Sequence, residues 1–380
     1  MIPPTLQIED AACRAWDAVV LGAGPAGSMA ALLLARSGVR VLLIDRRTFP
    51  REKVCGGCLN GRALAILDQA GLTTAVKVVG GCRLNHFHLA TGNRHARLAL
   101  PEGLAVSRSA FDAMLLAQTI EAGASFLDST VGRIGRADAC YRPVHANRRG
   151  KQQTILTRVI ISATGLATER NPEAGFAYHE APSTRVGAWT STHRYPAYYR
   201  AGTIFMAASF DGYVGLTRVE GGRLNIAAAL ERSSIREIGV APTCERILQS
   251  AGFPYCTSML SGDWLGTGGL TRSRVHCAGQ RLFAVGDSVG YVEPFTGEGM
   301  YWALESGSLV VPFIERGIRR WTADLALQWD QQWRRTLAHR QRTCRVLSRL
   351  IRHPNVFRQV VQLLQVCPVL AWPVIRSLSK

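Results

Sequence analysis

Three groups of residues in this sequence have types and spacings that could do chemistry. The first is Gly22-x-Gly24-x-x-Gly27, set directly after the apolar run Val19-Val20-Leu21, with Asp45 closing a second apolar run that begins at Val41. A strand that turns through glycines into a helix offers free backbone N–H groups to an anion, and the helix dipole favours negative charge at that end. Gly22 permits the sharp turn, Gly24 lets a pyrophosphate approach the backbone, Ala26 belongs to the same glycine turn, and Gly27 lets the helix pack closely on the sheet. Asp45 closes the second strand, where a carboxylate accepts hydrogen bonds from a ribose 2′-hydroxyl and repels a 2′-phosphate. Strand, turn, helix and acid together predict a site for a dinucleotide with an unphosphorylated adenosine.

The second group is the basic loop that starts at Arg46 and runs through Arg51, Lys53, Cys55, Gly56, Gly57 and Cys58. Its glycines allow close approach to a ligand. Cys55 and Cys58 are spaced as a Cys-x-x-Cys pair, and Arg51 and Lys53 would favour a thiolate, so a redox disulfide is one reading. The other reading makes Cys55 a small residue of the pocket wall and Cys58 dispensable. The third group is Gly286-Asp287 at the end of an apolar run, followed by Pro294, Gly297, Gly299 and Met300 on the way into a helix. A carboxylate there can bind a sugar or ribityl hydroxyl while the helix amides face an anionic group; the plain alternative is an Asp that caps the helix. Outside these groups, His86 and His88 fall on one face of a strand over 83–91. With no third ligand nearby they predict a surface or pocket-lining pair rather than a metal centre.

The elements that must position these residues follow from hydrophobic periodicity. A helix is predicted over 28–37, a second over 61–70, and a third over 111–122, capped by Ser109 just after Arg108 and stopped by Gly123. The next strand covers 124–131, and 158–165 is a buried strand that should rejoin the dinucleotide-binding sheet. From 185 to 230 the pattern alternates, and the stretches 213–219 and 223–229 flank Gly221-Gly222 as a β-hairpin. The predicted fold class is α/β: a Rossmann-like domain (1–83, 102–184 and 262–315), an inserted antiparallel β-sheet substrate domain (84–101 and 185–261), and a C-terminal helical segment (316–380). Substrate should bind between the first two.

The chain of 380 residues is 47% hydrophobic and 19% charged, a balance that fits a folded globular protein. Its net charge of +18 predicts an acidic partner: anionic lipid, an acyl-carrier surface or nucleic acid. Nucleic acid ranks low, because the basic residues are scattered and no nucleic-acid motif accompanies them. No apolar run approaches a membrane span and no signal peptide precedes Trp16, so a cytoplasmic protein with its ten cysteines reduced is expected.

With the first βαβ unit, Lys53-x-Cys55-Gly-Gly, Arg108 and Gly286-Asp287 in this order, the chain resembles the FAD-dependent oxidoreductases of the geranylgeranyl reductase and aromatic hydroxylase superfamily over about residues 16–310. The resemblance implies an extended FAD, with Gly22, Gly24 and Gly27 on the pyrophosphate and Asp45 on the adenosine ribose. It places Val131 on the adenine through its backbone, Asp287 on the ribityl chain, Arg108 as a brace, and Gly297 to Met300 as the helix start facing the pyrimidine ring. Through Lys53-x-Cys55-Gly-Gly it also implies the pocket-wall reading of Cys55, with Cys58 dispensable. Departures accompany it. The reductases' Tyr-x-Trp-x-Phe-Pro motif survives only as Tyr213, the hydroxylases' Asp-Gly pair reads Ala163-Thr164-Gly165, and the halogenases' Trp-x-Trp-x-Ile-Pro motif is missing. The leading expectation is a monooxygenase that hydroxylates a phenolic or polyketide- or lipid-derived substrate, with NADH or NADPH as electron donor. Reduction of alkenes in a prenyl or lipid chain is the alternative, and a flavin-binding regulatory protein without turnover is a third. The arginine-rich tail is expected either to reach an anionic membrane or to pack as a bundle on the FAD domain.

Overall fold

The computed structural model describes residues 1–166, 177–293 and 295–379. Trp16–Leu21 and Val41–Ile44 are short, apolar and almost wholly buried, as parallel strands covered on both faces must be. They pair with each other, and Trp16–Leu21 pairs on its other side with the long strand Lys151–Ser162, so that Val19 is level with Leu42 on one side and Ile160 on the other. The sheet continues through Ser125–Leu127 at one edge and Leu282–Ala284 at the other, and Arg142–Arg148 and Thr130–Ile134 hang from the long strand as antiparallel additions. The glycine-led helix spans Pro25–Arg36, with Gly24 as its N-cap. Gly307, on the helix Gly299–Leu309, comes so close to it that a Cβ there would lie 2.4 Å from the Ala26 carbonyl oxygen. The two helices whose N-termini face the cofactor cavity are thus fixed to each other backbone to backbone.

Two local expectations shift. The cap of the helix Arg108–Glu121 is Ser107, whose hydroxyl accepts from the Ala110 N–H at 3.1 Å; the Ser109 hydroxyl donates instead to Glu52. This moves Arg108 into the first helical turn. The strand predicted over 124–131 is broken at Ser129, whose φ of 48° ends one strand and lets the next leave in a new direction.

The second sheet has seven strands among the described residues and gathers the hairpin His86–Thr91/Arg94–Ala99 together with Val186–Thr192, Thr203–Ser209, Gly212–Arg218, Leu224–Leu230 and Leu265–Gly269. It is antiparallel but for one pair, His86–Thr91 against Thr203–Ser209, which runs parallel. The two strands come from separate excursions of the chain, so no short turn dictates their direction. Leu265–Gly269, assigned from sequence to the 262–315 part of the FAD domain, pairs with Val186–Thr192 instead.

The C-terminal helices are not a free appendage. Trp329, on the helix Ala323–Trp333, is completely buried and donates its indole N–H to the Ala284 carbonyl of the first sheet. Further on, Phe357 and Val361 of the helix Pro354–Val366 are buried against the second sheet in the same apolar cluster as Leu89 and Met206.

One buried cation ties these parts together. Arg185, fully buried, pairs with Glu293 at 2.9 Å and with Glu231 at 2.8 Å, and Glu231 also meets Arg352 of the tail at 3.6 Å. Removing one partner of such a pair strands the other charge in a medium that cannot solvate it. Arg185→Met is expected to lower unfolding free energy by about 3–5 kcal/mol, read as the midpoint shift in urea; a change under about 1 kcal/mol would show that water reaches Glu293 freely.

Candidate functional site

A single cavity of about 1380 Å3 runs between the two sheets. Small-molecule sites usually occupy about 300–1,000 Å3, so this one has room for a cofactor and a second ligand. Its lining changes character along its length, from glycine-rich and charged to apolar.

At the charged end, the turn after Trp16–Leu21 leaves its strand at Gly22 with φ 107°, and a Cβ there would sit 2.4 Å from the Ala163 carbonyl oxygen. Gly24 differs. Its backbone is ordinary extended chain, and a Cβ would meet only the Arg51 and Arg108 guanidinium groups, at 3.7 and 3.8 Å. The empty space over Gly24 is therefore not a demand of the fold; it is a cradle between a helix N-terminus and two cations, the setting that a pyrophosphate needs. Asp45 is held beside it by the N–H groups of Ala23 at 2.8 Å and Arg47 at 2.9 Å, which aim the carboxylate and leave lone pairs for a ribose. Arg46, Val131 and Arg133 line the outer continuation of the groove, where an adenine would lie.

Arg108 is buried, yet two short hydrogen bonds to Asp112 at 2.7 and 2.8 Å more than offset the cost of burial and raise its pKa above the ordinary arginine value. Arg51 joins Asp112 at 3.4 Å, so one carboxylate orders two cations over the same cradle. Three buried polar atoms of residues on this wall, Arg51 Nε, Glu52 Oε2 and Thr164 Oγ1, have no protein partner. Unpaired polar atoms facing a cavity are what a polar ligand would satisfy.

Farther in, Lys53 and Asp287 share the cavity wall with Cys55, Gly56, Gly286, Gly297, Gly299 and Met300. Burial pushes the Lys53 ammonium down, and Arg108 adds to this; Asp287 opposes it. Burial raises the Asp287 carboxyl, while Lys53 and Arg108 pull it the other way. The loop carrying Cys55 is braced from the second sheet, where Asn225 donates its side-chain amide to the Cys55 carbonyl at 3.0 Å. Cys55 and Cys58 are both free thiols, and burial pushes the Cys58 pKa up to about 12, so it is a poor thiolate. The residues present fit an extended FAD: phosphates over Gly24, ribityl chain at Asp287, ring between the Cys55 loop and the N-terminus of Gly299–Leu309.

The apolar end is built by Phe87, Leu89 and Leu98 of the early hairpin, Met206, Tyr213 and Ala228 of the later strands, and Leu347, Phe357, Leu364 and Ile375 of the tail. Tyr213 was singled out from sequence and does line this chamber, its ring edge-on to Phe295 and burial holding its phenol well above the usual pKa. His86 and His88 do not line it. In this strand alternate side chains face opposite ways, and the chamber takes Phe87 and Leu89. His86 is exposed, whereas His88 sits on the far side against Phe205 and Phe253, where burial, with Arg97 and His95 adding to it, pushes its pKa down to about 4. Pro294 lies outside the described residues. Sequence reasoning missed Arg51 as a phosphate-facing cation and the tail as a wall of the chamber; the spacing of Leu347, Leu350, Phe357, Val361 and Leu364 at three, four and seven residues was the available signal for the latter.

Comparison with known proteins agrees with this geometry. Residues 15–192 match the family described as an FAD binding domain. The chain is 27% identical to the menaquinone reductase of Mycobacterium tuberculosis, over 85% of this chain and 80% of the other, and 28% identical to the geranylgeranyl diphosphate reductase of Rhodobacter capsulatus, over 77% and 73%. In fold it is similar to the myxobacterial chondrochloren halogenase CndH, with a TM-score of 0.75 at 21% identity over 87% of this chain and 82% of that one. Among the described residues no helix is long and apolar enough to cross a membrane. The glycine cradle and the match to an FAD binding domain lie in one cavity, and the chain is similar in sequence to flavoenzymes that include a geranylgeranyl diphosphate reductase and in fold to an FAD-dependent halogenase.

Proposed function

We propose that this enzyme reduces carbon–carbon double bonds in a prenyl or lipid chain, drawing its electrons from a nicotinamide cofactor. The observation that carries the reading is the lining of the inner chamber. Among the described residues, none of those contributed by 87–100, 204–229 and 347–375 is charged, and most are Phe, Leu, Met, Val, Ile or Ala. Such a wall gains from every methylene it takes out of water and offers a polar ring almost nothing. The names of the relatives support the same reading, since a geranylgeranyl diphosphate reductase and a menaquinone reductase are among them.

Bound FAD would supply the two-electron store, a hydride going to one alkene carbon while a proton adds to the other. The chain's own residues do the rest. Gly24, Arg51 and Arg108 hold the charged end of the cofactor, and Asp287 orients the middle. The Cys55–Gly57 loop, pinned by Asn225, would flank the ring on the cavity wall it shares with the chamber. Tyr213 keeps its proton on Oη at the chamber wall, with Glu293 beside it, and is one of the protic groups that line the chamber, with Thr217. Hydroxylation of a phenolic or polyketide ring is the second reading, supported by the halogenase-like fold; its substrate would find the Tyr213 and Thr217 hydroxyls in the chamber.

The test is anaerobic. The protein's flavin is reduced, excess reductant is removed, and a geranylgeranyl-chain lipid in detergent is added. The expected result is return of the oxidised flavin spectrum with a product heavier by two hydrogens per reduced bond. A flavin that stays reduced until air is admitted, and then hydroxylates an added phenol, would replace this proposal with the second reading.

A further inference from the structure

The helix Pro354–Val366 is apolar on more than the side it buries. Phe357 and Val361 face the core and Leu364 the chamber, yet Leu363 and Val366 on its outer side are exposed, Val366 by 80%. The strip continues past the helix end through Val369, 74% exposed, Leu370 and Trp372. Exposed Arg358, Gln359, Gln362 and Gln365 border this strip, and an apolar strip edged by polar and basic residues is the pattern of a helix that lies in a membrane interface. Leu370 has two aspects: it is half exposed on this strip and it also lines the chamber, as do its neighbours Ala371 and Ile375. The chamber therefore approaches the surface at the strip.

Charge distinguishes what could cover it. After Asp330 the sequence contains no Asp or Glu and ten Lys or Arg. Arg358 and Arg376, before and after the strip in the chain, are exposed, and exposed Arg97 is on the strand Arg94–Ala99 against which the helix packs. A second copy of this chain would bring the same arginines face to face, and like charges set against each other cost affinity. An anionic bilayer meets both features at once: it accepts the apolar side chains at its interface and attracts the cations around them.

We propose that residues 363–376 dock the enzyme on an anionic lipid surface, and that the chamber opens toward that surface at Leu370 and Ile375, so that a lipid chain passes from bilayer to flavin without crossing water. The inference rests on the prenyl- or lipid-reductase reading for what enters, but the docking can be measured without turnover.

Full-length, FAD-loaded protein is floated with vesicles of phosphatidylcholine alone or containing phosphatidylglycerol. Binding is expected only with phosphatidylglycerol and should fall as salt rises. The double substitution Val366→Asp/Val369→Asp touches neither flavin nor chamber. It should keep full flavin content and unfolding midpoint while weakening vesicle binding at least about tenfold. No binding by the unaltered protein, or equal binding by the double variant, overturns the proposal; so does a dimer that the double variant breaks in the absence of vesicle binding, which would give the strip to a second copy. The two readings separate in detergent. If alkene reduction of solubilised geranylgeranyl lipid persists while flotation fails, only the docking falls; if flotation behaves as expected while no alkene is reduced, the docking stands and the substrate reading falls.

Discussion

Gly24→Val is expected to leave the fold intact and to strip it of FAD. Gly24 is the N-cap of Pro25–Arg36 at φ −79° and ψ −177°, a backbone that any residue adopts, and the protein atoms nearest to a new Cβ lie at ordinary contact distance. Nothing in the protein forbids a side chain. What it blocks is the space under Arg51 and Arg108, where the pyrophosphate would otherwise take the free N–H groups of the first helical turn. Losing two charge-assisted hydrogen bonds at about 1.5–3 kcal/mol each would weaken FAD binding by more than about a hundredfold. The control is Gly22→Val. There φ is 107° and the Cβ would be driven into the Ala163 carbonyl, so the sheet itself should be disrupted. Flavin absorbance after gel filtration reads the first effect and the unfolding midpoint reads the second. A Gly24→Val protein that retains stoichiometric flavin would remove the phosphate from this turn.

Cys55→Trp is expected to lower alkene-dependent flavin reoxidation by at least about a hundredfold, that is roughly 2.7 kcal/mol or more of lost access and positioning, while Cys58→Ser leaves it within about twofold. Cys55 lines the cavity where the glycine loop faces the N-terminus of Gly299–Leu309, and the loop's carbonyl is fixed by Asn225, so an indole there has nowhere to retreat except into the ring site or the chamber. Cys58 begins the strand Cys58–Asn60 with its thiol toward the Gly56 carbonyl and its pKa pushed up to about 12. A thiol held protonated in this way does not attack a disulfide. If Cys58→Ser abolished turnover and thiol counting showed the pair opening on flavin reduction, a dithiol relay would have to enter the mechanism.

What could be read in advance divides along the range of the interactions involved. The βαβ unit was legible because strand, glycine turn, helix and terminal acid are contiguous, and the Gly221-Gly222 hairpin was legible because its register is set by a local turn. Of the described cofactor candidates from Gly22 to Met300, all but Gly27 line one cavity, many of them at strand ends or helix starts that their own neighbourhood specifies; Gly27 instead packs against the turn, where a Cβ would lie 1.9 Å from the Gly22 carbonyl oxygen. The misreadings are of contacts between distant segments. Which face of His86–Thr91 looks into the chamber depends on a strand more than a hundred residues later, and the parallel pairing with that strand has no local signature. Arg51 acquires its place from Asp112, and the tail becomes a chamber wall only once the second sheet exists to receive Phe357 and Val361.

The order of strands in the first sheet has a consequence for how the chain is made. Lys151–Ser162 lies between Trp16–Leu21 and Leu282–Ala284, so an element from the first tenth of the chain and one from its last third flank the same strand. Arg142–Arg148 pairs the first part of that edge at once, but its end at Ile160–Ser162 stays unpaired during synthesis until more than a hundred further residues have left the ribosome, and the indole of Trp329 and the tail helices arrive later still. Non-local parallel pairing of this kind folds slowly and exposes apolar edges on the way. The cofactor site is completed on the same schedule, since Asp287, Gly297 and Met300 emerge only after Leu282–Ala284 has closed that side of the sheet.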